Sequence, residues 1–171
     1  MSAFTYRDAI ESDAAALAAF ARESWARTFA HVGYPPADLQ AYLSNSFGAE
    51  IQRAGIADPE VRYRLAFDDQ GIAGYCMMGV LAMPVDDANA LELHRLYVDE
   101  RAKGKGVADA LMQDCIAWAK AKGAQTLYLS VWENNERAQR FYRRFGFEDF
   151  SEWDFMVGDT ADRDLIWRLK L

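Results

Sequence analysis

The chain has little cysteine and little histidine: Cys76, Cys115, His31 and His94 are the whole supply in 171 residues. Neither cysteine stands in a Cys-x-x-Cys pair or beside a histidine, which excludes the ligand spacings of a structural zinc site and a disulfide framework. Two small buried thiols in a reducing cytoplasm are the expectation, with no metal. Long apolar runs are also missing. Residues 15–21, "AALAAFA", are typical, far short of the roughly 20 residues that cross a bilayer, so no membrane partner is expected. The opening "MSAFTYRDAIESD" lacks a basic region followed by an apolar core, and no secretory signal is expected. Basic excess is absent as well. Nineteen Lys and Arg against 26 Asp and Glu leave a net charge of −7, without the basic face that duplex nucleic acid requires. Such acidity steers cationic partners or simply maintains solubility.

What is present is apolar and aromatic, at 51% and 13%, so the chain reads as one globular domain over residues 1–171. Residues 3–9 suggest a short strand, and Ser12 or Asp13 offers a cap for an alanine-rich helix carrying Leu17, Phe20 and Trp25. "GYPP" stops it, and Pro36 opens a second helix with Leu39, Tyr42, Leu43 and Phe47 on one face. From Val61 the pattern turns to strands, with a hairpin at Asp69–Gly71. "ANALELHRLYV" is a further strand and "GVADALMQDCIAWAKAKG" a helix ending at Gly123. Strand "TLYLSVWE", helix "NERAQRFYRRF" and two closing strands follow. The order is βααβββαβαββ, a mixed central sheet flanked by helices in an α/β or α+β domain.

Between strand and helix, "LYVDERAKGKGVADALM" raises a question of phosphate. Gly104 and Gly106 permit positive φ and close approach, and the helix that follows presents unpaired N–H groups. Arg101, Lys103 and Lys105 concentrate positive charge there. A Walker A loop fails because Gly106, not Ser or Thr, follows Gly104-Lys105. A dinucleotide fingerprint fails because Asp109 occupies its third glycine position and five residues separate Val98 from Gly104.

The stretch closely resembles the acetyl-CoA pyrophosphate loop of the GNAT superfamily of N-acetyltransferases, Arg/Gln-x-x-Gly-x-Gly/Ala after an "LYV"-like strand, here Lys103-x-x-Gly106-x-Ala108. "VWENNERAQRFYRRFGFE" resembles the family's Asn-x-x-Ala-x-x-x-Tyr and Gly-Phe signature at Asn135, Ala138, Tyr142, Gly146 and Phe147. The resemblance implies transfer of acetyl from acetyl-CoA to an amine. It implies that the strand's main chain at Leu96 and Val98 binds the pantetheine arm. Gly104, Gly106, Val107 and Ala108 would give amides to pyrophosphate, with Lys103 and Lys105 at its edge and Asn135 touching the cofactor. Asn135 reads equally as a helix cap. Tyr142 would protonate the departing thiolate, and its alternative is aromatic packing beside Phe141 and Phe145.

Glu92 is the expected base, six residues before Val98, or else an ordinary paired carboxylate. Strict alternation puts it on one face with His94, Leu96 and Val98, so His94 stands as base, relay or ordinary hydrogen-bonded histidine. For the acceptor, Trp25, Phe29, His31, Tyr34, Tyr42, Glu152, Trp153 and Asp154 are candidates, and aromatics with carboxylates suit a cationic amine. "YPPADLQAYL" resembles the N-terminal helices of bacterial spermidine/spermine-type acetyltransferases, so a small polyamine-like amine is expected. Acetylation of a protein N-terminus or lysine, and a non-catalytic acyl-CoA-binding module, are the alternatives. Pairing of two copies into a homodimer stays open.

Overall fold

The structure, a computed structural model, describes residues 4–171. Ala3, the first residue of the expected opening strand, lies outside them. Among the described residues, seven strands form one sheet in the order β1-β2-β3-β4-β5-β7-β6. They are β1 (Thr5–Asp8), β2 (Arg62–Asp68), β3 (Gly71–Val80), β4 (Ala90–Val98), β5 (Thr126–Trp132), β6 (Glu148–Val157) and β7 (Thr160–Lys170). Only β4 and β5 pair in parallel.

The helices are α1 (Ala14–Phe29), α2 (Pro36–Phe47), α3 (Ala49–Ala57), α4 (Val107–Ala121) and α5 (Glu136–Arg144). Leu17, Ala21 and Trp25 of α1 recur at helical spacing and are buried with Leu43 and Phe47 of α2 against Leu65 and Tyr75 of the sheet. On the opposite face Val107, Leu111, Met112 and Cys115 of α4 bury against Ala66, Leu93, Leu127 and Leu129, with Phe141 and Phe145 of α5 beside them. The sheet is thus covered on both faces, as the sequence pattern predicts.

Two local features depart from expectation. α3 was not anticipated: its fully buried side chain is polar Gln52, whose Nε2 donates to the carbonyl of Ser46, so the apolar periodicity is weak. Asp13 sits at the start of α1 but makes no cap bond to it. A 3-10 turn at Glu11–Asp13 intervenes, and the Asp13 carboxylate turns back to the Ile10 amide (2.8 Å) and the Arg7 guanidinium (2.6 and 2.8 Å).

Candidate active site

The site begins with a break in the sheet. β4 and β5 pair only from Ala90↔Thr126 to Leu93↔Leu129, and beyond Leu93 they part. On the other edge of β4, Met77 pairs with Arg95 and Met78 with Leu93, so His94 is an extra residue, a bulge at the point where the strands diverge. A bulge resets side-chain alternation. Leu91 and Leu93 before it, and Leu96 and Val98 after it, all pack into the α4 face, whereas Tyr97 packs with the α1 face and Arg95 lies over Phe47. Strict alternation with Glu92, His94, Leu96 and Val98 on one face therefore fails. Glu92 instead faces the α1 side with Arg95 and Tyr97.

The divergence leaves one edge of β4 open. The Asp99 amide donates to Ala73 on β3 (2.9 Å), and the Tyr97 carbonyl lies toward Gly74 of the same strand. Main-chain groups alternate edges, so those of Leu96 and Val98 point the other way, into the gap. A cleft of about 1120 Å³ fills that gap and extends to both faces of the sheet.

At one end of the cleft the chain turns from β4 into α4. Gly104 and Gly106 have φ of 73° and 81°, which side chains with a Cβ rarely adopt, and no atom stands within 4 Å of where a Cβ would project. Among the described residues, the amides of Gly104, Gly106, Val107 and Ala108 find no backbone acceptor. Four donors at the positive end of a fifteen-residue helix suit an anion. Asn135 caps α5 through a bond from the Ala138 amide to its Oδ1 (3.2 Å), and the residue lines the cleft.

The lysines contribute less than the sequence suggests. Lys105 is exposed and does not line the cleft, and the Lys103 ammonium is taken by Glu100. Arg101 is structural: it clamps Asp68 (2.8 and 3.2 Å) and donates to the Ile72 carbonyl (2.9 Å). Positive charge comes instead from Arg137 of α5, which lines the cleft beside Arg140 and Arg144, themselves paired with Glu136 (3.2 Å) and Asp109 (3.2 Å). Their one-face spacing was readable in "NERAQRFYRR" and went unused.

Tyr142 lines the cleft, and its hydroxyl has no hydrogen-bond partner among the described residues. Burial first, then the nearby Cys115, pushes its pKa well above the ordinary 10, so the phenol stays protonated. Glu92 is buried, 7% exposed, and both its oxygens are engaged. Oε2 accepts from the amides of Ala82 (2.8 Å) and Met83 (3.4 Å), and Oε1 lies 3.1 Å from His94 Nδ1.

The other half of the cleft is aromatic. The Trp25 ring lies 4.6 Å from Phe29, 4.6 Å from Tyr42 and 5.8 Å from Tyr34 by ring centres. These four and Trp153 line the cleft; His31, Glu152 and Asp154 do not, and Glu152 pairs with Arg163 outside. Sequence reasoning missed Asp162 and Asp164 of β7, which do line it. Asp162 accepts from the Tyr34 hydroxyl. Asp164, 7% exposed, accepts from the Ser130 hydroxyl (2.8 Å), and burial above all, with Asp162 adding to it, raises its pKa from 3.8 to about 6.

Comparison with known proteins decides the family. A family model described as "Acetyltransferase (GNAT) family" matches residues 18–147. The chain belongs to the GNAT acetyltransferases. It is 30% identical, over 94% of each chain, to an uncharacterized N-acetyltransferase of Lactobacillus delbrueckii subsp. lactis. A spermine/spermidine N(1)-acetyltransferase of Bacillus subtilis is 36% identical over 49% of this chain and 57% of that one. The fold matches that of PaiA N-acetyltransferase from Thermoplasma acidophilum, solved in complex with coenzyme A, with a TM-score of 0.79, 23% identity and 99% coverage of both chains. Among the described residues of this GNAT enzyme, no three His, Cys, Asp or Glu stand together to hold a metal ion. No helix among them is long and apolar enough to cross a membrane.

Proposed function

We propose that this GNAT N-acetyltransferase moves the acetyl group of acetyl-CoA to a primary amine of a small cationic, polyamine-like acceptor. The observation that carries the reading is the open edge of β4 beyond the His94 bulge, continuous with the amide-lined turn at Gly104–Ala108. An extended arm with amide groups can add to that edge as a strand would, while its diphosphate meets the free amides. An unpaired main-chain N–H of Leu96 or Val98 would face the thioester oxygen and stabilise the oxyanion.

In the step itself the amine nitrogen bonds to the carbonyl carbon and the C–S bond breaks. The ammonium gives up two protons on becoming an amide, one released through the base and one that restores the proton Tyr142 gives the thiolate. An aliphatic ammonium has a pKa of about 10.4, so a base must take its proton. Glu92 takes that role with His94 as the relay, since the two are in contact at the diverging point. The Tyr142 hydroxyl, protonated and without another partner, gives its proton to the departing thiolate. Aromatic walls and three carboxylates, Glu92, Asp162 and Asp164, support a small cation over a peptide as acceptor. The cytoplasm suits both the donor and the two unpaired, buried thiols.

Tyr142→Phe tests the assignment. Turnover should fall about 100-fold, the scale of a lost general acid, with acetyl-CoA affinity within about twofold. Loss of affinity in step with turnover would contradict the acid role and leave Tyr142 as a packing residue.

A further inference from the structure

We propose that Asp164 receives a second, protonated nitrogen of the acceptor, which makes it the residue that selects diamines and polyamines over monoamines. This rests on the reading of the cleft given above, with the acetyl donor along β4.

The first observation is that Asp164 is unanswered. It is 93% removed from solvent by its surroundings yet faces the cleft, and its one partner is the neutral Ser130 hydroxyl (2.8 Å). Among the described residues no Lys, Arg or His approaches it within 4 Å, and it is the carboxylate of this half of the cleft that burial holds far above its ordinary pKa beside that geometry. Glu92 holds two backbone amides and His94, and Asp162 holds Tyr34. Arg95 donates to the Ser46 carbonyl (3.4 Å) at the end of α2 and stacks on Phe47 (4.4 Å), and Arg27 of α1 pairs with Glu23 and Asp99. A buried carboxylate without a counter-charge is expensive to keep and becomes favourable when a ligand brings the cation.

The second observation is what surrounds it. Asp164 lines the same end of the cleft as Tyr34 and Tyr42; burial above all raises the pKa of both tyrosines, with the nearby Asp164 charge adding to it. Those rings, with Trp25 between them, present π faces to any cation that reaches Asp164.

The third observation is distance. β7 stands two places from β4, with β5 between them. At about 4.8 Å per strand that is about 10 Å, of which an arm lying along the β4 edge takes up about half, and the parting of β4 from β5 adds to what remains. A nitrogen that attacks the thioester at Leu96 and Val98 sits on the β4 side of the gap, and a second nitrogen of the same acceptor would reach Asp164 on the far side. One acceptor spanning the two positions carries two nitrogens.

The test compares putrescine with a monoamine of the same carbon count on wild type and Asp164→Asn. Wild type should favour the diamine, and the substitution should raise its KM about 100-fold, as loss of a buried charge partner does, with kcat and the KM for acetyl-CoA changed less than about threefold. Asp154→Asn, at an exposed carboxylate of the same hairpin that does not line the cleft, should retain the preference. In parallel, the diamine should raise the melting temperature of the CoA-saturated wild type but not of Asp164→Asn, a readout independent of turnover. Transfer to both amines without preference, or a preference that survives Asp164→Asn, overturns the assignment while the transferase reading stands. A fall in kcat at unchanged diamine KM also overturns it, by putting Asp164 at the reacting nitrogen. No transfer to any amine, with no diamine-dependent stabilisation, overturns both.

Discussion

Asp164→Asn should make the ligand-free protein more stable, by an amount that grows as pH rises from about 4 and is full above about 6. The folded state holds this carboxyl near pKa 6 against an ordinary 3.8, chiefly because burial penalises the charge. At about 1.4 kcal/mol per pH unit, the difference costs the folded protein about 3 kcal/mol once Asp164 is ionised in both states. Below about pH 3.8 the group is protonated folded or unfolded and costs nothing. Between 3.8 and 6 the unfolded chain gives up the proton first, so the stability contributed by this group drains away as pH rises and is gone above about 6. Asparagine keeps the shape and an oxygen for Ser130 but never ionises. In thermal unfolding followed by circular dichroism, the variant should gain about 6–12 °C at pH 8, at about 2–4 °C per kcal/mol for a chain of this size. At pH 4 the two proteins should lie within about 1 kcal/mol. An equal gain at both pH values, or a variant less stable at pH 8, would refute the buried, unanswered charge. The same substitution that stabilises the chain is the one that removes the diamine preference, as expected where a binding site carries a cost to stability.

Three further expectations follow from the geometry. Gly106→Val must hold a β-branched residue at φ 81°, and should weaken acetyl-CoA binding at least tenfold by calorimetry; unchanged affinity would move the diphosphate away from this turn. Gly158→Ala should cost about 2–4 kcal/mol, because the turn between β6 and β7 has φ 60° there and a Cβ would meet the Asp38 Cα at 2.4 Å; urea unfolding with no shift in midpoint would contradict that packing. Burial pushes the Cys115 thiol up to about 12 and that of Cys76 well above 9, so both should resist Ellman's reagent at pH 8 until denaturant is added, and prompt reaction would place them at the surface.

The elements around the glycine turn were legible because local chemistry sets them: Gly106 in the left-handed region, Asn135 at its cap and Gly123 past α4. α3 was not, since its interior side is held by Gln52 rather than by an apolar stripe. The bulge at His94 was invisible for a different reason. It is a property of pairing between β3 and β4, so no reading of β4 alone could tell that Glu92 leaves the face of Leu96 and Val98. Charge misled in the same way. Lys105 and Arg101 look like phosphate ligands in one dimension, and Asp68 claims one of them while solvent claims the other. Asp162 and Asp164 were within reach, because their i, i+2 spacing around Arg163 marks one face of a strand, but placing that face on the cleft required the order β4-β5-β7.

The most direct test of the central claim is release of the CoA thiol from acetyl-CoA, with and without spermidine, at neutral to mildly alkaline pH. The account predicts release that depends on spermidine, with acetylspermidine identified by mass. Acetyl-CoA left intact in the presence of spermidine, or thiol released with no acetylated amine formed, would contradict it.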